Sequence, residues 1–302
     1  MTGPVIAGFG FATIGERPDL SGLDAALGRI EDTGATHAEL ALFAADLIAG
    51  GRVLAAPRRR LEAICARRRL RYTAHGILAV NFMDEANLAL HKAVCRASLE
   101  LAAGVGATVL VHHPGRTQAG PAQRIERLHA LEREVLREMG EAAAGLGVRL
   151  AVETLFVESD AEYTADPARL AQEIRAVDHP HVVGTLDVSH SYLMAGFHGT
   201  DPKAAVAAFA PVTGHFHLHD SFGRPPGSHT GFYTDQERAA FGVGDLHLPF
   251  GWGDIPFDTL LPGLPVRPDS VLIVELPEDR WSELDACAGF ARRLLERMNA
   301  AA

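Results

Sequence analysis

The sequence predicts a single (β/α)₈ TIM barrel, and two observations support this prediction. Eight short apolar runs are spread over the 302 residues, and each precedes a helical segment. A glycine-containing turn also recurs between a helix and the next strand, at residues 32–35, 101–107 and 143–148. Alternating strands and helices imply a parallel sheet, and eight such units imply a closed barrel. No Gly-x-Gly-x-x-Gly motif follows the first strand, as an open dinucleotide-binding sheet would require.

The predicted strands are short and mostly apolar, as strands buried on both faces should be. Because the strands of such a barrel all run in one direction, their carboxyl ends meet at one mouth. We therefore expect one domain over residues 1–302. The eight strands are predicted at residues 5–9, 37–42, 71–75, 108–112, 149–153, 182–187, 214–219 and 270–275.

Helix signals lie between these strands. Asp84 is a candidate N-cap for a helix that runs to about residue 103, and residues 124–146 have helical periodicity. Asp166 followed by Pro167 predicts another helix start, because proline suits the first helical turn. An amphipathic segment at 281–299 predicts a closing helix.

One long connection interrupts the alternation. Residues 221–254 follow the seventh strand, on the side of a barrel where active sites lie, and are rich in glycine, proline and aromatic residues. Long connections in compact domains are usually functional or disordered, and the aromatic content argues against disorder. We expect a folded lid or rim over the active site.

Composition excludes several classes of protein. No run approaches the ~20 apolar residues that a membrane span requires, and no leader-like segment precedes the first strand. The formal net charge of −10 disfavours a nucleic-acid surface, which needs clustered cations. The arginine runs 58–60 and 67–69 are expected on a solvated helix surface away from the mouth. Three scattered cysteines fit neither a disulfide framework nor a zinc motif, which favours a cytoplasmic location.

Six consecutive predicted strands end in histidine or carboxylate residues. Buried imidazoles and carboxylates in such numbers would be costly without a cation. Imidazole and carboxylate without thiolate suit Zn²⁺, Mn²⁺ or a similar divalent ion. The strand-end residues are His75, His112, His113, Glu153, Asp187, His190, His215, His217, His219 and Glu275.

The seventh strand carries three of these histidines at alternate positions. His215, His217 and His219 therefore point to one side of the strand, and Phe216 and Leu218 point to the other. We expect His217 to lie level with the metals, His215 deeper in the barrel and His219 nearer the rim.

These residues resemble those of the xylose isomerase-like barrel superfamily, which includes sugar isomerases and epimerases as well as endonuclease IV. The resemblance extends over nearly the whole chain. The segments similar to endonuclease IV are 75–82, 113–115, 153–154, 187–190, 217–221, 245–247 with 251–255, and 275–277.

By this resemblance, nine side chains would hold one to three divalent ions per chain, with zinc or manganese as the metal. They are His75, His113, Glu153, Asp187, His190, His217, Asp245, His247 and Glu275.

Departures from endonuclease IV disfavour a nucleic-acid substrate. Leu78 replaces the tyrosine expected three residues after the strand-three histidine, and residues 43–48 contain no basic residue. The connection from His217 to Asp245 is also much longer than in that family. A lid there would narrow the mouth, which favours a small-molecule substrate.

A second resemblance points to the ketose 3-epimerases. Residues 214–217, followed by a loop with glycine, proline and arginine, resemble that branch, whose members bind one metal through Glu, Asp, His and Glu. The matching ligands here are Glu153, Asp187, His217 and Glu275.

This resemblance implies that Glu153 and Glu275 are catalytic, since the two glutamates of that family flank the substrate carbon and exchange its proton. It also implies that His190 holds a substrate oxygen. The candidate substrate-binding residues are His219, Arg224, Trp252 and Phe82.

Two functions follow, and the sequence favours the first. The first is a divalent-metal-dependent isomerase or epimerase of a sugar, cyclitol or sugar derivative, working by glutamate-mediated proton transfer. The alternative is an endonuclease IV-like phosphoesterase with several metals, acting on a phosphodiester or sugar phosphate. A non-enzymatic sugar-binding protein would not need the full ligand set. Aromatic residues of the long connection would also serve a homodimer contact.

Overall fold

Eight parallel strands close into one barrel in the computed structural model, which describes residues 5–13, 17–225 and 231–301. Each strand pairs with the strands before and after it in the chain, and the first pairs with the last, which confirms the predicted (β/α)₈ fold. The strands are β1 Ile6–Ala12, β2 His37–Ala41, β3 Arg71–His75, β4 Val109–His112, β5 Arg149–Glu153, β6 Val182–Asp187, β7 Thr213–Leu218 and β8 Ser270–Val274.

The strands agree closely with the apolar runs that predicted them, because most are buried along their whole length. Every residue of β2, β4, β6, β7 and β8 is buried. β1 continues three residues beyond its predicted end, since Gly10 and Phe11 pair with both neighbouring strands and Ala12 pairs with β2.

Helices surround the barrel and bury one face against it. Helix α5, for example, buries Leu170, Ala171, Ile174 and Val177, which recur at helical spacing. The helices are α1 Leu23–Asp32, α2 Ala55–Cys65, α3 Leu88–Gly104, α4 Ala122–Leu146, α5 Pro167–Val177, α6 Val188–His198, α7 Pro202–Phe209, α8 Asp235–Phe241, α9 Phe257–Leu260 and α10 Leu284–Ala300.

The predicted helix starts differ in detail from the structure. The Asp166 carboxylate accepts a hydrogen bond from the Arg169 amide and caps α5, as predicted. Asp84 also caps, but it caps a 3₁₀ turn over Glu85–Asn87 that precedes α3. The closing helix likewise begins later than predicted, after a 3₁₀ segment at Glu278–Glu283.

The recurring glycine turns have a common backbone conformation. Gly34, Gly106 and Gly147 follow α1, α3 and α4 with φ of 79°, 72° and 72°. Glycine adopts this left-handed region without the steric penalty of a side chain, so it ends each helix and redirects the chain into the next strand.

The connection after β7 is folded where the structure describes it; residues 226–230 of the predicted 221–254 segment lie outside the described residues. It contains α8, which Thr234 and Glu237 cap reciprocally. Asp220 and Leu248 exchange two backbone hydrogen bonds of 2.8 and 3.0 Å, joining the two ends of the connection.

The Asp220 side chain reinforces this junction. Its carboxylate accepts hydrogen bonds from the backbone amides of Gly251, Gly253 and Ile255 at 2.8, 3.0 and 3.3 Å. A Cβ at Gly253 would lie 2.4 Å from an Asp220 oxygen, so only glycine allows this close approach. Asp220 and the backbone around it therefore fix the end of the connection that leads into Asp254.

The first arginine run lies on α2, and the second lies in the turn that follows this helix. Arg58 bonds Glu62 within α2, and Arg68 bonds Asp24 of α1 at 2.7 Å. None of the residues in either run lines the cavity at the barrel mouth. Within the described part of the chain, no helix is both long enough and apolar enough to cross a membrane.

Candidate metal centre

The carboxyl ends of the strands and the end of the long connection bring all nine predicted metal ligands together. Together with His219 they form three groups, of which the first two share Glu153, and within each group the potential ligand atoms lie within 4.8 Å of one another. The first group is His75, His113 and Glu153; the second is Glu153, Asp187, His217 and Glu275; the third is His190, His219, Asp245 and His247.

Glu153, at the end of β5, joins the first two groups because its two oxygens face different ligands. Oε2 lies 3.2 Å from Nε2 of His75 and 3.5 Å from Nε2 of His113. Oε1 lies 3.1 Å from Nδ1 of His217 and 3.3 Å from Nδ1 of His190. One buried carboxylate could therefore bridge two ions.

The spacing of Asp187 and His190 follows from the start of α6. Asp187 ends β6 and is the N-cap of α6, where its Oδ1 accepts the His190 amide at 2.7 Å. Its other oxygen, Oδ2, lies 3.2 Å from Nε2 of His219. The capping geometry therefore directs one carboxylate oxygen to the backbone and leaves the other for the site.

Two histidines of the third group have their outer nitrogens fixed by backbone carbonyls. His190 Nδ1 lies 3.0 Å from the Thr154 carbonyl, and His247 Nδ1 lies 3.1 Å from the Glu275 carbonyl. Because a carbonyl only accepts, each Nδ1 carries the hydrogen and a neutral ring has its lone pair on Nε2. Both Nε2 atoms face Asp245 Oδ2, at 3.3 and 3.1 Å. Acceptors that face one another need a proton or a cation between them.

His219 completes the third group. Its Nε2 lies 3.6 Å from Asp245 Oδ1, and its ring stacks on that of His247 with centroids 3.9 Å apart. Among the described residues, no hydrogen-bond partner reaches the buried Nδ1 of His219 or Oδ1 of Asp245. Buried polar atoms are normally satisfied, so the donor set fits a bound cation.

The buried groups shift one another's pKa values. Burial alone would lower the pKa of His190, but the carboxylates of Asp187 and Asp245 outweigh it and raise that pKa well above its usual range. Burial also opposes the rise of the His247 pKa to about 9, which Asp245 causes. At His113 burial dominates and lowers the pKa to about 3. The third group therefore attracts a proton or another cation, whereas His113 offers a neutral nitrogen.

A further buried carboxylate lies below the second group. Glu39, in the middle of β2, has no exposed surface, and its oxygens lie 2.8 Å from His217 Nε2 and 3.2 Å from His215 Nε2. Burial would raise the pKa of Glu39, but the two histidines outweigh it and lower that pKa. The only sequence signal for Glu39 is an ionisable residue inside a buried apolar run.

A cavity of about 380 Å³ opens above the metal ligands. This volume is at the small end of ligand pockets and suits a small molecule. The connection after β7 contributes Arg238 of α8 to its wall, and Phe43, Leu78 and Arg280 also line it. No sequence motif marked Phe43, Arg238 or Arg280 as functional.

None of the four predicted substrate-binding residues lines this cavity. Phe82 is fully buried and packs on His112 with ring centroids 4.5 Å apart. The Arg224 guanidinium donates to the Phe241 carbonyl at 3.3 Å, so it is bound to another part of the connection after β7. Trp252 is 55% exposed, on the turn that Asp220 holds. The fourth, His219, is buried within the third ligand group.

Comparison with known families agrees with this architecture. A family model described as xylose isomerase-like TIM barrel matches residues 27–297 of the chain. Among curated proteins, no sequence matches the chain.

Solved structures share the fold at low sequence identity. A D-tagatose 3-epimerase-like protein superimposes with a TM-score of 0.72 at 17% identity, covering 97% of this chain and 98% of its own. An L-ribulose 3-epimerase gives 0.64 at 17% identity, covering 98% and 93%. An IOLI protein with a bound zinc atom gives 0.67 at 16% identity, covering 98% and 99%. At these identities the likeness shows a shared fold.

Proposed function

The chain belongs to the xylose isomerase-like TIM barrel family, and we propose that it is a divalent-metal-dependent isomerase or epimerase of a sugar, cyclitol or sugar derivative. The observation that carries this proposal is the placement of Glu153 and Glu275. Both carboxylates line the 380 Å³ cavity, and both belong to the second ligand group with Asp187 and His217. Two of the superimposable barrels are an epimerase-like protein and an epimerase, which supports the proposal at the level of the fold.

The second group would hold the ion that assists catalysis. Its four side chains supply carboxylate oxygens and one imidazole nitrogen, which suit Zn²⁺ and Mn²⁺. When bound, a divalent ion polarises a substrate carbonyl and so makes the neighbouring carbon-bound proton more acidic. The other two groups would raise the number of ions per chain to three.

The chain's own residues would move the proton. Glu153 and Glu275 both face the cavity, so one carboxylate removes the carbon-bound proton and the other returns a proton. Phe43 and Leu78 line the same cavity and limit the water that reaches it. Arg238 supplies hydrogen-bond donors for substrate oxygens.

The third group would have a different role. Its four side chains could supply all the ligands of one ion, as is typical of structural sites, whereas catalytic zinc sites leave a position open. His190 and His219 belong to the barrel, and Asp245 and His247 belong to the connection after β7. An ion there would tie the connection to the barrel, with His219 as a ligand in place of its predicted substrate contact.

Exchange of substrate hydrogen with deuterated water tests the proposal. We expect the metal-loaded protein to exchange the carbon-bound proton of at least one sugar in a panel of keto sugars. Glu153→Gln and Glu275→Gln should slow this exchange by about 10²–10⁴-fold, the usual contribution of a general acid or base. Glu296→Gln, an exposed change on α10, is the matched control. Unchanged exchange in either active-site variant contradicts the proposal.

Phosphoester hydrolysis is the second candidate, and the first ligand group favours it. His75 and His113 would add an ion beside Glu153, and paired ions activate water and stabilise a leaving oxygen. Elemental analysis and an assay with small phosphodiesters separate the two candidates. About three ions per chain together with phosphodiester cleavage would establish the hydrolase; deuterium exchange without phosphodiester cleavage, at any number of ions, supports the isomerase or epimerase.

A homodimer contact remains a prediction. Tyr233, Phe241 and Trp252 of the connection are 92%, 60% and 55% exposed, more than most large apolar side chains. Sedimentation of the wild type and of Tyr233→Ser would test whether this surface joins two copies.

A further inference from the structure

Glu39 is a buried carboxylate that the proposed reaction does not use. It lies in the middle of β2, is fully buried and does not line the cavity. Three polar groups surround it: Thr73 donates to Oε2 at 2.9 Å, His215 Nε2 lies 3.2 Å from Oε2, and His217 Nε2 lies 2.8 Å from Oε1. The interior of a small barrel is normally filled by apolar side chains, so this cluster requires an explanation.

His217 has both ring nitrogens engaged, on opposite sides. Nδ1 faces the second ligand group, at 3.1 Å from Glu153 Oε1 and 3.5 Å from Glu275 Oε1. Nε2 faces Glu39. An ionised carboxylate only accepts hydrogen bonds, so the hydrogen between His217 and Glu39 belongs to Nε2. The lone pair of a neutral ring is then on Nδ1, directed at the metal ligands.

We propose that Glu39 is a positioning residue, which fixes the tautomer and orientation of His217 so that Nδ1 serves as a metal ligand. The inference rests on the proposed metal site in the second group. Carboxylates that accept the outer hydrogen of a ligating histidine hold its ring and raise its basicity. Glu39 acts through His217 and does not touch the substrate.

The neighbours of Glu39 fit this role. Thr73 and His215 both approach Oε2, which leaves Oε1 to His217. A buried charge with several partners seldom improves stability over an apolar group of similar volume. Two strands, β3 and β7, supply these partners, and the polar cluster that they form with Glu39 of β2 acts on the position of His217.

Zinc affinity of the full-length protein tests the inference. Chelator-stripped protein is titrated with Zn²⁺ against a chromophoric competitor, for the wild type, Glu39→Gln and Glu39→Leu. Loss of an outer partner of a metal ligand typically weakens metal affinity 10–100-fold, and we expect that loss in Glu39→Leu. Glu39→Gln should lie between, because its amide oxygen still accepts from His217 Nε2. Glu173→Gln is the matched control, a buried glutamate on α5 remote from the site.

A merely structural role predicts a different pattern. It would lower the melting temperature of the variants while leaving the zinc affinity of the folded protein unchanged. A second readout is the ring NMR spectrum of His217 in the zinc-loaded wild type, assigned with His217→Gln. We expect a slowly exchanging hydrogen on Nε2 that disappears in Glu39→Leu.

The outcomes are separable from those of the proposed function. Zinc binding by the wild type with equal affinity in folded Glu39→Leu, or a zinc-bound His217 without a hydrogen on Nε2, overturns the inference alone. A wild type that binds no zinc or manganese overturns both the metal site and the role of Glu39.

Discussion

The second and third ligand groups lie next to each other but are built differently. Asp187 and His217 of the second group are on barrel strands and are fully buried. Asp245 and His247 of the third group are on an irregular connection, and their side chains are 27% and 26% exposed. Backbone hydrogen bonds between strands fix the positions of Asp187 and His217. The positions of Asp245 and His247 depend on hydrogen bonds made by the connection itself.

The hydrogen bonds around His247 stabilise an unfavourable backbone conformation. Its φ is 45°, in the left-handed region that non-glycine residues rarely adopt, and such a conformation costs on the order of 1–3 kcal/mol. Arg280 donates to the carbonyls of Leu246 and His247, which stabilises this backbone. The second group is therefore held by the rigid barrel, whereas the position of the third group depends on the connection after β7.

We expect the largest effect from a change in the second group, whose ligands Asp187 and His217 lie on strands. Asp187→Asn removes a ligand of the second group and should slow deuterium exchange by more than the 10–100-fold that loss of an outer partner costs. Exchange rates at saturating Zn²⁺ measure this effect. If Asp187→Asn kept the wild-type rate, the second group would not be the catalytic one.

Metal binding by the third group should depend on pH. The pKa of His247 is raised to about 9, so the metal-free ring is protonated at neutral pH and must lose that proton to bind a cation. Affinity should therefore rise with pH up to about 9, by at least about tenfold per pH unit, because His190, whose pKa is also raised, must release its proton as well. Zinc titrations of the wild type between pH 6 and pH 9, with Asp245→Asn as the reference, measure the slope. A flat profile would show that His247 is not a ligand.

Asp245→Asn tests the role of the third group, because it removes a ligand on the connection after β7. We expect it to lose one ion per chain and to keep exchange activity within about tenfold, because a closed four-ligand site is structural. The connection after β7 should become more sensitive to protease. Elemental analysis and timed trypsin digestion measure both effects. A loss of activity as large as that of Asp187→Asn would make the third group catalytic.

The smallest expected effect is that of Arg280→Met. This change removes the two hydrogen bonds to the backbone around His247 and keeps most of the side-chain volume. A hydrogen bond to a charged group contributes about 1.5–3 kcal/mol, so affinity at the third group should fall about tenfold or somewhat more. Arg297→Met, which breaks the surface pair with Asp258, is the control.

Most of the ligand set could be predicted because strand ends in a closed barrel must converge. His75, Glu153 and Asp187 each follow a buried run, so their positions at the mouth followed from the fold class alone. Asp245 and His247 could be predicted as ligands because residues 245–247 and 251–255 resemble endonuclease IV.

Other residues had no comparable signal. Every residue of β2 is buried, so no alternation showed that Glu39 points into the barrel. Arg238 reaches the cavity only because α8 folds back over the mouth. The course of an irregular connection cannot be predicted from its sequence pattern. The resemblance to the ketose 3-epimerases predicts Arg224 as a substrate contact, and in the structure its guanidinium donates to the Phe241 carbonyl.

The junction at Asp220 has a consequence for how this barrel could diversify. Since Asp220 and Leu248 join the two ends of the connection, the chain between them closes a loop whose length can change cheaply, at about 0.6 kcal/mol per doubling. Insertions or exchanges around α8 would then alter the wall of the cavity without displacing Asp245 or His247. The wall of the cavity and the third ligand group could therefore change independently of each other.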